Sequence, residues 1–291
     1  MAEMKVSAIN YYPIKSCGGL PLESAVLDSR GIVHDREFMV VGKNDEGQYE
    51  LVRQSKQPRM ALIKPNVNIH ILQASAPGIE NLEIQIIKEG HKVDAVVHGN
   101  VCSAVDQGEE AAKWLRKYLD EDYRLVRMSD DFVRRPNPRY ARRESDQVGF
   151  QDGYPLLLIS EESLNDLNSR LKDPVRMNRF RPNVVIKGGG KPFVEDDAKL
   201  IKIGENYFDA VKPCDRCPIP GIEQETGEIS KEVLKVLNDP RYRRGADGKV
   251  YFGQNLIHQS PGMINVGDKV EIVMYKNENE KIKWLPEKAA V

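Results

Sequence analysis

The sequence predicts an α+β fold in which two β-barrel parts pack together and few helices occur. Short apolar stretches of strand length, separated by Gly, Pro and Asn, recur through most of the chain, whereas only three stretches have the spacing of a helix. Hydrophobic residues make up 40% and charged residues 30% of the 291 residues, which is typical of a folded globular protein. Two strand-rich parts joined by helical segments therefore favour a barrel-containing architecture.

The first hundred residues are mostly strand patterns broken by turn residues. The apolar runs are KVSAINYYPI, EFMVVG, ALIKPNVNIHIL and LEIQIIKEGHKVDAVVHG, and GKNDEGQ and KEG have turn composition. The next segment, EEAAKWLRKYLDEDY, predicts a helix. Its residues Ala112, Leu115 and Leu119 recur at three- and four-residue spacing, and Trp114 and Tyr118 form a neighbouring stripe.

A basic, irregular segment follows the helix. It reads RMSDDFVRRPNPRYARRES and contains Pro136, Pro138 and five arginines between Arg134 and Arg143. Proline and dense charge predict an exposed loop, and a solvated loop is favoured over an anion site.

The second strand-rich part begins near Gly149. GYPLLLISEESLNDLNSRL predicts a buried strand and then a helix, with Ser160 as the N-cap and Ser163 near the N3 position. RFRPNVVIKGG predicts a strand that starts after Pro182, and AKLIKIGENYFDAVKP predicts a hairpin. SKEVLKVLNDP predicts a helix that ends before Pro240, and the chain returns to strands up to VMY.

Charge and cysteine content exclude several classes of protein. The net charge of −1 gives no overall basic field, so we expect no binding to nucleic acid. Four cysteines in 291 residues are not a disulfide framework and fit a reducing compartment. No signal peptide and no membrane span of about 18 apolar residues is predicted. The expected location is therefore the cytoplasm.

Two of the four cysteines stand two residues apart in VKPCDRCPIPG. A structural zinc site needs a second pair, but Cys17 and Cys102 are isolated. The prolines after Cys217 do not fit a thioredoxin-like helix start, and no ferredoxin spacing is present. Two possibilities stay open. In one, a single cysteine thiolate binds a soft metal that is held mainly by a cofactor; in the other, both cysteines are inert. Arg216, between Cys214 and Cys217, would favour a thiolate.

Several motifs in order resemble one family. The Cys214 and Cys217 pair, followed by Thr226 and Gly227, is similar to the cysteine segment of the MOSC family, and within it to the amidoxime-reducing molybdenum proteins. The other matching segments are YPIKS, HDREFMVV, LVRQSKQPRMALI, FQDGYPLLLISEESLNDLNSRL, MNRFRPNVVI, FVED, YFGQNL and PGMINVGDKV. The sequence departs from the family pattern at Pro220-Gly221 and Glu223-Gln224, which flank the expected metal pocket.

The resemblance implies a domain order and a cofactor. The expected segments are an N-terminal β-barrel domain over 1–128 with a helix near its end, a MOSC domain over 129–275 and a charged tail over 276–291. The implied cofactor is molybdenum with a pyranopterin (molybdopterin), for which Cys217 would be the metal ligand and the catalytic residue. Cations, hydroxyls and amides suit its phosphate and pterin edges. The implied cofactor-binding residues are Lys15, Ser16, Arg36, Arg181 and Asn183. The family also carries a general association with pyridoxal phosphate.

The implied activity is reduction of small N-hydroxylated substrates, in which N–OH becomes N–H and the oxygen leaves as water. No segment of the chain can hold an electron carrier, so separate proteins should supply the electrons: a cytochrome b5-like protein, a flavin reductase or a ferredoxin-like protein. Two alternatives stay open. One is a sulfur carrier with a persulfide on Cys217, and the other is a non-catalytic protein that binds the cofactor.

Overall fold

The computed structural model describes residues 3–284, which form strands, three α-helices and short 3₁₀ turns. In chain order the strands are β1 Lys5–Tyr11, β2 Ile14–Lys15, β3 Leu20–Leu22, β4 Ser24–Asp28, β5 Gly31–Ile32, β6 Phe38–Lys43, β7 Tyr49–Leu51, β8 Lys64–Val67, β9 Ile71–Ser75, β10 Leu82–Gln85, β11 Lys92–Val97, β12 Asn100–Asp106, β13 Arg124–Met128, β14 Leu156–Ser160, β15 Val184–Lys187, β16 Ala198–Ile203, β17 Asn206–Asp215, β18 Tyr251–His258, β19 Gly262–Asn265 and β20 Val270–Tyr275. The helices are α1 Gly108–Leu119, α2 Glu161–Asn168 and α3 Glu232–Leu237, and the 3₁₀ turns cover Pro58–Leu62, Met177–Phe180, Val194–Asp197 and Ile219–Gly221.

Five strands close into the first barrel. They follow the order β13, β12, β11, β7 and β6, and β13 also pairs with β6, which closes the ring. Side chains from these strands, such as Met39, Ala95, Ala104 and Val126, share one buried cluster. Helix α1 packs with Trp114 and its other apolar residues against the outside of the barrel and against the small sheet β10-β9-β8. The predicted barrel and the predicted helix are both confirmed.

The second part is built on an eight-stranded sheet that curls into a half-barrel. Its strand order is β20-β16-β17-β18-β14-β15-β1-β3. Strands β1 and β3 come from the beginning of the chain, and Ile9 of β1 pairs with Val184 of β15. The expected α+β class with few helices is confirmed, and so is the predicted hairpin, β16–β17. The division at residues 128 and 129 falls at the end of β13 and stays a prediction.

The start of α2 follows the predicted capping pattern. The backbone N–H of Ser163 donates to Ser160 Oγ at 3.1 Å, and Ser160 has an extended backbone. The Ser163 hydroxyl in turn donates to the buried carboxylate of Glu195 at 2.8 Å. This network joins helix α2 to the 3₁₀ turn Val194–Asp197. It thereby fixes the carboxyl end of strand β14, where Ser160 stands.

The predicted exposed loop from Arg134 to Arg143 is wrong at its first residue. Arg134 is buried, and its guanidinium donates to the carbonyl oxygens of Gly149, Gln151 and Asp152 at 2.8, 2.5 and 3.2 Å. These carbonyls belong to a turn that has no strand partner for them, so a buried donor with several N–H groups satisfies them. Arg139 and Arg142, further along the segment, are exposed as predicted.

None of the helices within residues 3–284 is long and apolar enough to cross a membrane. The predicted charged tail over 276–291 is described only as far as residue 284, and residues 285–291 lie outside the described part of the chain.

Candidate functional site

A cavity of about 200 Å³ brings together residues from both parts of the chain. The first part contributes residues of β2 and of the turns after β5, β7 and β11, and the second part contributes the FQDGYP segment, the turn before β15 and the cysteine segment. All six residues that the sequence singles out line this cavity: Lys15, Ser16, Arg36, Arg181, Asn183 and Cys217. The structure therefore brings these residues into one place, and their roles toward a cofactor stay predictions.

The cavity wall contains residues with an unusual backbone. Seven non-glycine residues in the described part of the chain have positive φ, and four of them line the cavity: Ser16 (70°), Arg36 (49°), His98 (48°) and Arg181 (56°). The left-handed region costs free energy for residues with a Cβ and is concentrated at functional sites in proteins. The surrounding packing thus holds these side chains in positions that an ordinary extended or helical backbone would not give them.

Arg36 is fixed by a dense set of acceptors. Its Nη1 contacts both oxygens of Asp35, at 2.8 and 2.7 Å, and Asn183 Oδ1 at 3.1 Å, while Nη2 donates to the carbonyl of Arg181 at 3.3 Å. Asn183 also donates to the carbonyl of Asn10 and is nearly inaccessible to solvent. Asn183 therefore orients Arg36 and joins β1 to the strand that follows Asn183.

Arg181 is a buried cation without a carboxylate partner among the described residues. Its side-chain hydrogen bond goes to the neutral amide oxygen of Gln224 at 3.3 Å. The guanidinium carbons of Arg181 and Arg36 lie 4.3 and 4.1 Å from the centre of the same Tyr12 ring. Burial, and then the charge of Arg36, lowers the pKa of Arg181 to about 10. A guanidinium held this way is suited to an anion that enters the cavity.

A lysine, a carboxylate and an imidazole meet at the cavity mouth. Asp152 Oδ1 lies 2.5 Å from Lys15 Nζ and 2.9 Å from His98 Nε2. Burial lowers the pKa of Lys15, against the effect of Asp152. Although burial alone would raise it, the pKa of Asp152 lies well below its usual range because of the charges of Lys15 and His98 and their hydrogen bonds. The Asp152 side chain is 74% exposed, so solvent weakens these interactions without reversing them.

The cysteine segment forms the side of the cavity that β17 and its following turn build. Cys217 is exposed and lines the cavity, whereas Cys214 is half-buried. Arg216 Nη1 lies 3.1 Å from Cys214 Sγ, so the hydrogen bond expected to favour a thiolate goes to Cys214 rather than to Cys217. Burial raises the pKa of Cys214, and Arg216 offsets part of that effect. Cys217 is the accessible sulfur of the pair.

The other chemistries considered for the cysteines lack their ligand sets. All four cysteines are free, and Cys17 and Cys102 are buried. Within residues 3–284 no group of three or more His, Cys, Asp or Glu side chains could hold a metal ion. A metal at this cavity would therefore depend on ligands from outside the protein in addition to one cysteine.

Sequence reasoning missed two groups at the site, His98 and the FQDGYP residues. His98 precedes Gly99 in the turn between β11 and β12. Residues at the tip of a hairpin are usually exposed and without function, so the sequence offered no reason to select His98. Gln151 and Asp152 lie in the FQDGYP segment and line the cavity, but no polar residue of this segment is among the site residues predicted from the sequence. A polar pair directly before a strongly apolar strand is the signal that could have found them, since ligand-binding groups commonly stand at strand ends.

Two family models match the chain. One, the MOSC N-terminal beta barrel domain, covers residues 3–122, and the other, the MOSC domain, covers residues 145–271. The chain belongs to the MOSC-domain family. The MOSC N-terminal domain match contains α1 and the barrel strands β6, β7, β11 and β12, and β13, which closes the barrel, follows directly. The MOSC domain match contains the cysteine segment.

Relatives within the MOSC-domain family carry two kinds of name. "Mitochondrial amidoxime-reducing component 1" of Xenopus laevis is 32% identical over 93% of this chain and 82% of that protein. The Homo sapiens protein of the same name is 34% identical over 92% of this chain and 82% of its own length. "Molybdenum cofactor sulfurase" of Arabidopsis thaliana is 31% identical over 87% of this chain but only 33% of that protein.

Proposed function

We propose that this MOSC-domain chain is a molybdenum-cofactor-dependent oxidoreductase that reduces N-hydroxylated compounds. In the proposed reaction N–OH, two electrons and two protons give N–H and water. The observation that carries the proposal is the pairing of one accessible thiol, on Cys217, with a cavity whose buried cation Arg181 has no carboxylate partner among residues 3–284. The names of the relatives, amidoxime-reducing component and molybdenum cofactor sulfurase, support the same chemistry.

The charge of the cavity fits an anionic cofactor. Its lining includes five cations and two carboxylates, an excess of three positive charges: Lys15, Arg36, Arg53, Arg181 and Arg216 against Asp152 and Asp215. Two buried polar atoms of the lining, Gln151 Oε1 and Arg216 Nε, lack a hydrogen-bond partner. Unpaired buried groups of this kind are costly unless a ligand satisfies them. A phosphate and a pterin with amide-like edges would provide both the charge and the partners.

The residues have distinct expected roles toward such a cofactor. Arg36 and Arg181, stacked on Tyr12, would hold the anionic end. Lys15 and Ser16 would add a cation and a hydroxyl, and Cys217 would provide the thiolate ligand of the molybdenum. When bound, the molybdenum cofactor supplies two-electron chemistry that removes an oxygen atom from the substrate.

His98 is the side chain best suited to deliver a proton to the departing oxygen. It lines the cavity, is 35% exposed, and its Nε2 is held by Asp152. The contact with the carboxylate orients the ring, which can pass a proton from Nδ1 or through water. Asp215, next to the cysteines, is a poor donor. Burial would raise its pKa, but Lys212 at 2.5 Å and Lys249 at 3.4 Å lower it overall.

A sulfur carrier is the second candidate function. An accessible Cys217 could hold a persulfide, and the likeness to molybdenum cofactor sulfurase favours this alternative. It needs no bound pterin and no electron donor. The two functions therefore differ in metal content and in the presence of sulfur that cyanide releases.

The test uses protein made in a host that synthesises the cofactor. We expect molybdenum and pterin in near-equal amounts and reduction of benzamidoxime with reduced methyl viologen as the electron source. Cys217→Ala should lose both molybdenum and activity, whereas Cys214→Ala, the matched control three positions away, should keep them. Cyanide-labile sulfur on Cys217 in a protein without molybdenum would contradict the reductase and favour the carrier.

The substrates, electron donors and location follow from the same proposal. We infer small N-hydroxylated substrates from the amidoxime-reducing relatives, and electrons from separate cytochrome b5-like, flavin or ferredoxin-like proteins. Cytoplasmic location and the family association with pyridoxal phosphate stay predictions.

A further inference from the structure

A second depression, of about 520 Å³, lies along β17. We call it the basic groove. Its lining contains seven cations and two carboxylates, an excess of five positive charges: Arg139, Arg142, Lys199, Lys212, Lys276, Lys281 and Lys283 against Asp247 and Glu280. The chain as a whole has a net charge of −1, so the groove concentrates positive charge in one place.

Several of these cations face solvent without forming a salt bridge. Arg139, Arg142 and Lys283 are exposed and form no salt bridge with a carboxylate of residues 3–284, although the charge of Arg142 acts on Glu280. Other lysines of the groove are neutralised in part, as Lys199 is by Glu280 and Lys212 by Asp215, each at 2.5 Å. Unpaired charges on a concave, low-dielectric wall produce a stronger outward field than scattered surface charges.

The basic groove shares a wall with the cofactor cavity. Tyr140 of the groove packs edge-to-face on Tyr154 of the cavity, with 6.0 Å between ring centres. Pro213 lines the groove, and Cys217 lies four residues further along the chain. Four residues span at most roughly 14 Å. A molecule seated in the groove would therefore approach the sulfur closely without entering the cavity.

The other lining residues resemble those of a protein interface. Tyr140 and Tyr251 are aromatic, and Val211, Pro213 and Ile282 add apolar surface. Arginine and aromatic residues are enriched in the cores of protein–protein interfaces, with charges at the rim. The groove is open along one side and has a larger volume than the cofactor cavity, which suits a protein surface better than a small molecule.

We infer that the basic groove is the docking face for an acidic electron-carrier protein. The inference rests on the proposed reductase and names the surface through which it is supplied. Each docking event would oxidise one carrier by one electron. Two events would provide the two electrons that, with two protons, convert N–OH to N–H and water. Charge complementarity of this kind mainly raises the rate of association and makes it sensitive to salt.

The test compares two double variants of the cofactor-loaded protein. Arg139→Glu with Arg142→Glu reverses two unpaired charges of the groove, whereas Lys88→Glu with Lys172→Glu makes the same change in net charge at exposed positions that line neither depression. Each protein reduces benzamidoxime with dithionite-reduced cytochrome b5 or with an acidic ferredoxin as donor. Parallel assays use reduced methyl viologen, a small cation that added carboxylates cannot repel.

We expect the groove variant to show at least about a tenfold higher KM for the acidic carrier at low salt and a flatter dependence on ionic strength. Its rate with methyl viologen should match the wild type, which also shows that it is folded and loaded. The control variant should stay within about twofold of the wild type in both assays, since isolated surface charges have small effects.

Distinct outcomes overturn the inference and the proposed function. A wild type that is loaded yet inactive with methyl viologen refutes the reductase, and the docking face with it. A wild type that reacts with methyl viologen but with neither carrier refutes the docking face alone, as does a groove variant with unchanged KM for the carrier. Tight binding of a single-stranded RNA, lost in the groove variant while carrier kinetics stay unchanged, would assign the groove to nucleic acid instead.

Discussion

Replacement of Arg181 by methionine should make the cofactor-free protein more stable. Arg181 is buried, has no carboxylate partner among residues 3–284, and has a pKa lowered to about 10. Methionine has a similar length, is apolar and can still pack against Tyr12. The backbone at φ 56° is equally unfavourable for both side chains, so that cost cancels in the comparison.

The magnitude follows from the charge and the contacts that are lost. A lowering of the pKa from the ordinary arginine value to about 10 corresponds to about 3 kcal/mol of unfavourable free energy for the charged form below pH 10. Loss of the cation–π contact with Tyr12 costs about 1 kcal/mol, and loss of the hydrogen bond to Gln224 costs about 1 kcal/mol more. The variant should therefore gain about 1 kcal/mol, or about 2 °C in Tm for a chain of this size.

The assay is urea unfolding of the cofactor-free protein at pH 7, with and without inorganic phosphate. Arg179→Met is the matched control, because Arg179 is similarly buried in the preceding turn but pairs with Glu223 at 2.6 Å. Its loss leaves a partly buried carboxylate unpaired and should cost about 1–3 kcal/mol. Phosphate should stabilise the wild type and the Arg179 variant by preferential binding, and should leave Arg181→Met unchanged.

If Arg181→Met lost as much free energy of unfolding as Arg179→Met, Arg181 would stabilise the cofactor-free protein, and the prediction would be wrong. That result would mean that an opposite charge within the protein already compensates the Arg181 guanidinium. Equal stabilisation of all three proteins by phosphate would contradict the assignment of Arg181 to an anion.

Three further predictions concern other groups. His98→Gln should keep the cofactor content but lower benzamidoxime turnover about 10²-fold, and unchanged turnover would exclude His98 as the proton donor. Glu37, whose pKa is lowered overall by His34 and Arg127 although burial raises it, contributes stability above the ordinary glutamate pKa that disappears as pH falls through the folded value. Glu37→Gln should thus flatten the loss of stability in acid, measured by Tm between pH 6 and roughly 3. Ser160→Ala should cost about 1–2 kcal/mol in urea unfolding through loss of the α2 cap, and an unchanged midpoint would contradict the role of the cap.

Local patterns predicted the fold well because they depend on near neighbours. The spacing of Ala112, Leu115 and Leu119 depends only on helix geometry, and α1 buries all three. The capping pair Ser160 and Ser163 likewise needs only three residues of chain. The pairing of β1 with β15 could not be read in this way, because it joins Ile9 to Val184, which are far apart in the chain.

Motifs in the sequence predicted which residues line the cavity. They could not predict the backbone conformation or the long-range contacts of the side chains around it. Ser16, Arg36 and Arg181 line the cavity as the motifs indicate, yet their left-handed backbones are set by packing that no short motif contains. Arg134 was assigned to solvent because its neighbours are polar, but three distant carbonyl oxygens need its N–H groups. The sequence places Arg216 between the two cysteines without choosing one, and the side-chain direction takes its hydrogen bond to Cys214.

The pairing of β1 with β15 also has a consequence for how the protein is made. The first barrel is complete once β13 has left the ribosome, but Ile9 must wait for Val184 before its edge is covered. At about 5–20 residues per second, synthesis of the chain from Ile9 to Val184 takes roughly 10 to 35 s. Throughout it the nascent chain carries an apolar edge strand with open N–H and C=O groups, a surface on which chaperones or neighbouring nascent chains can pair. Synonymous codons that slow translation between residues 129 and 183 should therefore lower the yield of folded protein more than the same codons placed after residue 200.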